Sequence, residues 1–245
     1  LEQIKNSILI PVEEAFLEAQ FNDVQGKLNL NDLVTLTGNV NQVMKERFDR
    51  LLKRLAIETI KVDAIIDWLD ENQEPQGFEG MEDGEYLSID PPYRNAGQSF
   101  RDISELRLLP NVSNEDFQKF LPHVTVLPMG RSPINVNTTT EEVLQSLTAT
   151  LSDQQAKTLA EQKQEKPWKT LADFQSDPLI SASGLKDSYL SVNSEFFEIA
   201  TRITLSDRVV RLVSLIYRNS KDGVMQVISR DQSQKYLITK EKVAL

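Results

Sequence analysis

The side chains in this sequence that are best equipped for chemistry are the carboxylates between Asp70 and Asp90. This stretch contains eight acidic residues and no Lys or Arg, and its acids are Asp70, Glu71, Glu74, Glu79, Glu82, Asp83, Glu85 and Asp90. Three glycines, Gly77, Gly80 and Gly84, lie among them and favour sharp turns. Calcium prefers oxygen ligands and takes about six to eight of them from carboxylate and carbonyl groups in loops of this kind. The segment therefore has the composition of a calcium-binding loop.

Two interpretations of the acidic segment stay open on the residues alone, a bound calcium ion and a solvated loop. The order of the acids does not match the EF-hand loop, which needs alternating Asp or Asn ligands and a Glu at its last position. Repulsion between like charges disfavours a compact loop that holds no cation. The segment nevertheless carries apolar and aromatic residues that indicate packing against the rest of the protein, namely Tyr86, Leu87, Ile89, Tyr93 and Phe100.

Catalytic arrangements are weakly represented in the chain. His123 is the only histidine, so a Ser-His-Asp triad would have to use it, yet it lies between two prolines in FLPHVTVLP and no GxSxG motif is present. Glu79 and Glu82 form a carboxylate pair of the kind that hydrolyses glycosides, with Trp68 or Tyr93 as a sugar platform, but any acid-rich loop meets that requirement. Neither a GxxxxGK[ST] loop nor a GxGxxG motif occurs. We predict that the protein is not an enzyme and assign no catalytic residue.

The overall charge narrows the classes of partner. The 245 residues include 27 Lys and Arg against 37 Asp and Glu, which gives a net charge of −10. Nucleic acids and anionic membrane surfaces are bound through clusters of Lys and Arg, so both are disfavoured as partners. The chain has no cysteine, which removes disulfides and thiol chemistry. No apolar run approaches the roughly 18–20 residues of a membrane-spanning helix.

The elements that position the acidic segment are mostly helical. Residues 37–186 have apolar residues at helical spacing, including Val40, Val43, Met44, Phe48, Leu51, Leu52 and Leu55. Ser113, Thr138 or Thr139, and Ser152 are predicted helix N-caps. The stretches SELRLLPNVSNEDFQKFL and INVNTTTEEVLQSL resemble helix-hairpin-helix halves, but the positions that carry glycine in DNA-binding hairpins hold Asn111 and Thr148–Thr150. We interpret them as packing modules.

Strand patterns flank the helical region at both ends of the chain. The alternation of Leu17, Ala19 and Phe21 predicts a strand, and the glycine after it predicts a hairpin whose return strand contains Leu28 and Leu30. Residues 187–245 predict a three-stranded antiparallel meander with a turn at NSKDG. Two strands cannot bury a face alone, so we expect the N-terminal strands to pack with this meander.

The sequence therefore predicts an α+β fold with a discontinuous core. The core comprises residues 1–36 and 187–245, and an all-helical domain of residues 37–186 is inserted into it. The acidic loop, taken as residues 70–104, belongs to the insert.

Several segments together resemble the K-type minor pseudopilin of the type II secretion system. They are VQGKLNLNDL, VDAIIDWLDENQEP, GMEDGEYLSIDPPYRNAG, ISELRLLP, VTVLP and INVNTTTEEVLQSL, in this order. The resemblance extends from about residue 9 to about residue 230. It implies a pseudopilin-type antiparallel sheet with a large helical insert, in agreement with the strand, helix, strand order of the chain.

The resemblance also implies a function, a location and partners. Members sit at the tip of the pseudopilus with the I-type and J-type minor pseudopilins and serve protein export across the outer membrane, where the insert is placed to meet exported substrate proteins. They carry a leader and a hydrophobic N-terminal helix that this sequence does not contain. Residues 1–8 are then the stub of that helix. The chain is then the periplasmic region of an inner-membrane-anchored protein of a Gram-negative bacterium. The alternative function is a calcium-stabilised extracellular binding or adhesin module.

Calcium binding in the insert is a further implication of the resemblance. Glu82 and Asp83 match a Gly-x-Glu-Asp element, and Asp70 lies in an Asp-Trp-x-Asp element. Asp67 either reaches the ion or caps a helix, and Asp90 completes the candidate ligand set. The chain departs from the family pattern at Met81 and at Glu71-Asn72.

Overall fold

The computed structural model describes residues 8–12, 15–130, 132–185 and 189–232, and the chain divides into two compact units. The sheet unit contains the residues up to Gln25 and those from Asn193 onward, and the helical unit contains Gly26–Val192. The N-terminal stub predicted for residues 1–8 lies outside the described residues except for Ile8, the first residue of a strand. No helix of the described ranges combines the length and the apolar character needed to cross a bilayer.

The strands and helices follow one another in an order close to the predicted one. The strands are β1 (Ile8–Val12), β2 (Ala15–Asp23), β3 (Leu28–Asn29), β4 (Val124–Thr125), β5 (Ile134–Asn135), β6 (Leu190–Ser191), β7 (Phe196–Leu205), β8 (Arg208–Arg218) and β9 (Met225–Asp231). The helices are α1 (Gln42–Arg54), α2 (Val62–Leu69), α3 (Asp83–Leu87), α4 (Asn114–Phe120), α5 (Glu141–Ser146), α6 (Asp153–Glu165), α7 (Leu171–Ser176) and α8 (Pro178–Ser183). Short 3₁₀ helices span Leu30–Leu33, Ile103–Leu108 and Leu121–His123.

The sheet unit is a five-stranded antiparallel sheet with the order β1-β2-β7-β8-β9. Strand β2 pairs with β7 from Ala15 opposite Leu205 to Asp23 opposite Phe197. Strands β7, β8 and β9 form the predicted meander, and the N-terminal strands join it as expected. Strand β7 carries Phe197, Ile199 and Ile203 at period two, which is the pattern that predicted a strand here.

The hairpin predicted for residues 15–30 is wrong. Strand β2 forms its hairpin with β1, whereas β3 lies in the helical unit and pairs in parallel with β4. Leu28, Leu30 and Leu33 are fully buried in the hydrophobic core of the helical unit. Residues 26–36, assigned above to the sheet core, therefore belong to the helical unit. So does β6, which pairs with β5 and buries Leu190 in the same core.

Helix α1 shows how the helical unit is built. Asn41 caps its first turn by accepting a hydrogen bond from the backbone N–H of Met44. Met44, Phe48 and Leu51 face the core at helical spacing, whereas Val43 is exposed. The predicted caps Ser113 and Ser152 are confirmed, and the third cap is Thr140, one residue beyond the predicted pair. The helix-hairpin-helix character of the insert stays a prediction.

Candidate functional site

Helices α2 and α3 bring three of the five predicted ligands of the acidic loop together. Helix α2 ends at Leu69, so Asp67 lies in its last turn and Asp70 directly follows it. Glu82 is the N-cap residue of α3, and its backbone N–H donates to the carboxylate of Glu85 at 2.9 Å. Acidic residues favour the N-terminus of a helix because the backbone N–H groups there are unpaired. Acidic residues thus stand at both ends of the segment between the two helices.

Asp67 is the most deeply buried of the candidate ligands, with no exposed surface. Its Oδ1 accepts the backbone N–H of Gln76 at 2.9 Å, and its Oδ2 accepts that of Met81 at 2.6 Å. Burial raises its pKa to about 7 against the effect of these two hydrogen bonds, and repulsion from Glu82 and Asp70 raises it further. Asp67 thus closes the turn between residues 76 and 81, and it caps no helix.

Glu82 and Asp70 are also buried, at 4% and 8% exposure. Oε2 of Glu82 accepts the side-chain amide of Asn95 at 2.7 Å, whereas its Oε1 is buried without a hydrogen-bond partner among the described residues. Burial raises the pKa of Glu82, and repulsion from the neighbouring carboxylates adds to the rise. Asp70 accepts the backbone N–H of Asn72 at 3.2 Å, and burial raises its pKa too. This cluster is electrostatically unfavourable in the absence of a cation.

Asp83 and Asp90 differ from the three buried carboxylates. Asp83 accepts the backbone N–H of Asn95 at 3.0 Å and forms an ion pair with Arg94 at 2.5 Å. Asp90 is exposed to solvent. The structure therefore gathers Asp67, Asp70 and Glu82 inside the loop, places Asp83 at its surface in an ion pair, and leaves Asp90 outside.

Asn95 organises the site and was missed in the sequence. Its side-chain amide donates to the backbone carbonyl of Asp67 and to Glu82, both at 2.7 Å, and its backbone N–H donates to Asp83. Its Oδ1 accepts the backbone N–H of Gly97 at 3.2 Å. The Asn-Ala-Gly sequence is a turn signal that could have drawn attention to it.

Aromatic rings cover the buried side of the loop. Trp68 and Tyr86 have ring centroids 5.4 Å apart, Tyr86 and Tyr93 5.5 Å, and Trp68 and Phe100 6.2 Å. Tyr86 and Phe100 are buried, which confirms that the acidic segment packs against the protein, although Leu87 stays exposed.

The donor set fits a metal ion only in part. Across the described ranges, no group of three or more His, Asp or Glu side chains is arranged to hold a metal ion. Both oxygens of Asp67 and both of Asp83 are engaged by protein hydrogen bonds or ion pairs. Glu82 Oε1, buried beside the carboxylate of Asp70 and lacking a partner, is the atom best prepared to become a ligand.

The structure does not arrange the residues of the glycosidase pair or of the His123 triad for catalysis. Trp68 is 3% exposed, so its ring cannot serve as a sugar platform. Glu79 lies on the surface and forms an ion pair with Lys61 at 2.6 Å, unlike the buried Glu82. His123 is buried, and its Nδ1 lies 2.8 Å from the hydroxyl of Thr140, the cap of α5. The histidine therefore supports a helix start.

Known proteins resemble this chain over the helical unit and beyond it. Two family models described as type II secretion system (T2SS), protein K, match residues 26–129 and 134–193, which cover the helical unit. Type II secretion system protein K of Aeromonas hydrophila is 30% identical over 245 aligned residues, covering 92% of this chain and 73% of that protein. The chain belongs to the type II secretion system protein K family. The resemblance stated from the sequence motifs is confirmed.

Other relatives agree with this family membership. The protein K of Pseudomonas aeruginosa is 35% identical over 222 residues, covering 89% of this chain. The chain spans 65% of the length of that relative. A crystal structure of the GspK-GspI-GspJ complex from enterotoxigenic Escherichia coli matches 94% of this chain and 84% of the chain compared, with a TM-score of 0.79 and 25% identity. The α+β fold with an antiparallel sheet and several helices is thus that of a protein K.

Proposed function

We propose that the chain is the periplasmic part of a minor pseudopilin that assembles with the I-type and J-type minor pseudopilins at the tip of the type II secretion pseudopilus. The observation that carries this proposal is the structural match, over 94% of the chain, to a chain in the crystal structure of the GspK-GspI-GspJ complex. The role is structural, and the buried positions of His123 and Trp68 give catalysis no support. Anchoring in the inner membrane of a Gram-negative bacterium is part of the same proposal.

Export of proteins by the host tests this function. Deletion of the gene is expected to leave exported proteins in the periplasm, and the whole gene supplied in trans is expected to return them to the culture supernatant. Export at the parental level without the gene would contradict the proposal. Growth and the amounts of the periplasmic proteins serve as controls for a general defect of the envelope.

We also propose that the acidic loop binds calcium. The support is the cluster of three buried carboxylates, Asp67, Asp70 and Glu82, whose mutual repulsion a cation would relieve, together with the unpartnered Glu82 Oε1. Calcium would supply the positive charge that this loop lacks and would hold its carboxylates in place. Asp83 and Asp90 would become ligands only after a rearrangement, since one is ion-paired and the other lies at the surface.

Thermal unfolding measured in EGTA, and again after calcium or magnesium is restored, tests the calcium proposal. A rise of the melting temperature with calcium and not with magnesium is the expected result. An unchanged melting temperature, together with no metal in elemental analysis of the untreated protein, would refute it.

A further inference from the structure

Phe78 is the most exposed large apolar side chain in the described part of the chain. Its relative exposure is 106%, and the next highest value is 82%, at Leu36. A single exposed apolar residue is common on protein surfaces, so exposure alone decides nothing. The turn that carries Phe78 and the charges around it distinguish this residue from the others.

The turn of residues 77–80 is held at both of its ends by one buried side chain. The two oxygens of Asp67 accept the backbone N–H groups of Gln76 and Met81, which flank the turn on either side. Glu79, next to Phe78, forms an ion pair with Lys61. The backbone around the aromatic ring is therefore fixed before any partner arrives.

Both glycines of the turn lie where a side chain would not fit. A Cβ atom on Gly77 would lie 2.4 Å from Oδ2 of Asp63, and one on Gly80 would lie 2.4 Å from Oδ2 of Asp67. Gly77 also has a φ of +61°, in the region that side chains disfavour. These close approaches pack the base of the turn against helix α2. Phe78 therefore lies on the solvent side of the turn. A side chain displayed by a fixed turn loses little conformational entropy on binding.

The surroundings of Phe78 are strongly acidic. Residues 62–93 contain ten Asp and Glu and no Lys or Arg. Three of these acids are buried and three form ion pairs with Lys45, Lys61 or Arg94, so the charge at the surface comes from Glu71, Glu74, Glu85 and Asp90. Glu71 and Glu74, which precede the turn in the sequence, are exposed. The helical unit, residues 26–192, contains 26 acids and 17 bases, a net charge of −9 out of the total of −10. A partner that meets this surface must supply positive charge, because juxtaposed like charges oppose association.

We propose that Phe78 is the anchor of a docking surface, formed with Glu71 and Glu74, for a folded protein that offers an apolar pocket rimmed by Lys or Arg. An aromatic ring that enters such a pocket leaves water, and aromatic anchors of this kind dominate the affinity of many interfaces. The acidic rim would meet the basic rim of the pocket, which increases the association rate and excludes acidic partners.

The test uses proteins that the same host exports, purified and measured one by one for binding to the chain, and this choice of probe rests on the proposed function. Phe78→Ala is expected to weaken the binding of at least one exported protein by about tenfold or more, as is typical for an interface anchor. Leu36→Ala is the matched control, because Leu36 is exposed in the uncharged turn of residues 35–39, and its effect is expected to stay within about twofold. Phe78→Tyr is expected to restore most of the affinity.

Two further readouts complete the test. Raising the salt concentration from about 50 mM to about 300 mM is expected to weaken binding, since the surface charges become screened. The melting temperature of Phe78→Ala is expected to equal that of the unaltered protein, because the fully exposed ring makes no buried contact that stabilises the fold.

The outcomes separate this inference from the proposed function. Equal effects of Phe78→Ala and Leu36→Ala, or no binding of any exported protein to the unaltered chain, would overturn the docking surface. A loss of binding to the I-type and J-type proteins caused by Phe78→Ala would also overturn it, because the residue would then belong to the pseudopilin assembly. If the unaltered chain fails to bind those two proteins but binds an exported protein through Phe78, the assembly proposal fails and the docking surface is supported.

Discussion

Replacing Glu82 with Gln is expected to have opposite effects on stability with and without calcium. Glu82 is 4% exposed, its Oε2 accepts a hydrogen bond from Asn95, and its Oε1 has no partner in the described structure. Gln has the same shape and keeps an oxygen for Asn95, but it removes a buried negative charge that lies near Asp70 and Asp83. The same change removes the carboxylate oxygen best prepared to bind the ion.

The two effects have comparable magnitudes. Without calcium, relief of one buried and poorly satisfied charge is expected to stabilise the variant by about 1 kcal/mol, the scale of a single buried polar group. With calcium at a hundredfold excess over its dissociation constant, the unaltered protein gains about 2.7 kcal/mol. A variant that no longer binds the ion keeps only its gain of about 1 kcal/mol, so it becomes less stable than the unaltered protein by roughly 2 kcal/mol.

Thermal unfolding in EGTA and in calcium measures both changes in the stability of Glu82→Gln, the expected gain without calcium and the expected loss with it. For a protein of this size, about 1 kcal/mol corresponds to a shift of the melting temperature of about 2–4 °C. Glu71→Gln is the matched control, because it removes one negative charge from the same loop at an exposed position. The control is expected to respond to calcium as the unaltered protein does.

If Glu82→Gln responds to calcium as the unaltered protein does, Glu82 is not a ligand of the ion. A variant that is less stable than the unaltered protein by the same amount in EGTA and in calcium would likewise assign Glu82 to folding alone. An equal loss of the calcium response in Glu71→Gln would indicate that the total charge of the loop matters and that Glu82 has no special place in it.

Other consequences of the structure concern the helical unit. Asp116 accepts three hydrogen bonds on one oxygen from residues 58 and 59, so Asp116→Ala is expected to lower the free energy of unfolding in urea by about 3 kcal/mol. The exposed neighbour Glu115→Ala is expected to cost less than about 0.5 kcal/mol, and equal costs would contradict the assignment. Burial lowers the pKa of Lys163 to about 8, so the unfolded state binds more protons above that pH. Stability relative to Lys163→Met is therefore expected to rise by about 1–3 kcal/mol between about pH 8 and about pH 10, and a difference that is flat with pH would contradict this. A Cβ on Gly26 would lie 2.5 Å from backbone atoms of Thr138, so Gly26→Ala is expected to cost about 1–3 kcal/mol in the same urea assay, and an unchanged midpoint would contradict it.

The long strands of the sheet were predictable from the sequence, because β2 and β7 carry apolar residues at period two and β8 is a long apolar run. The same signal failed at Leu28 and Leu30, where the alternation with Asn29 and Asn31 does not separate a buried face from an exposed one. Both asparagines are buried, and their side-chain amides donate to the carbonyl of Leu127 at 3.2 and 3.0 Å. A buried polar residue whose partner lies about a hundred positions away looks like an exposed residue of a strand when only the sequence is read.

The candidate site was predictable in composition but not in its internal contacts. The carboxylates of the loop are visible in the sequence, and three of the five named ligands, Asp67, Asp70 and Glu82, are buried together. The hydrogen bonds of Asn95 to Asp67 and Glu82 span 28 and 13 residues, and no local pattern encodes such pairings. The ion pair of Asp83 likewise depends on how the chain returns after α3.

Binding of this chain to the purified I-type and J-type minor pseudopilins of the same host tests its assignment to the pseudopilus tip. Equimolar mixtures are separated by size-exclusion chromatography with light scattering, each protein alone serving as a reference. The three proteins are expected to elute together as one complex of the summed mass. Elution of the chain at its own mass, with the other two proteins folded and able to bind each other, would contradict its assignment as a minor pseudopilin of the pseudopilus tip.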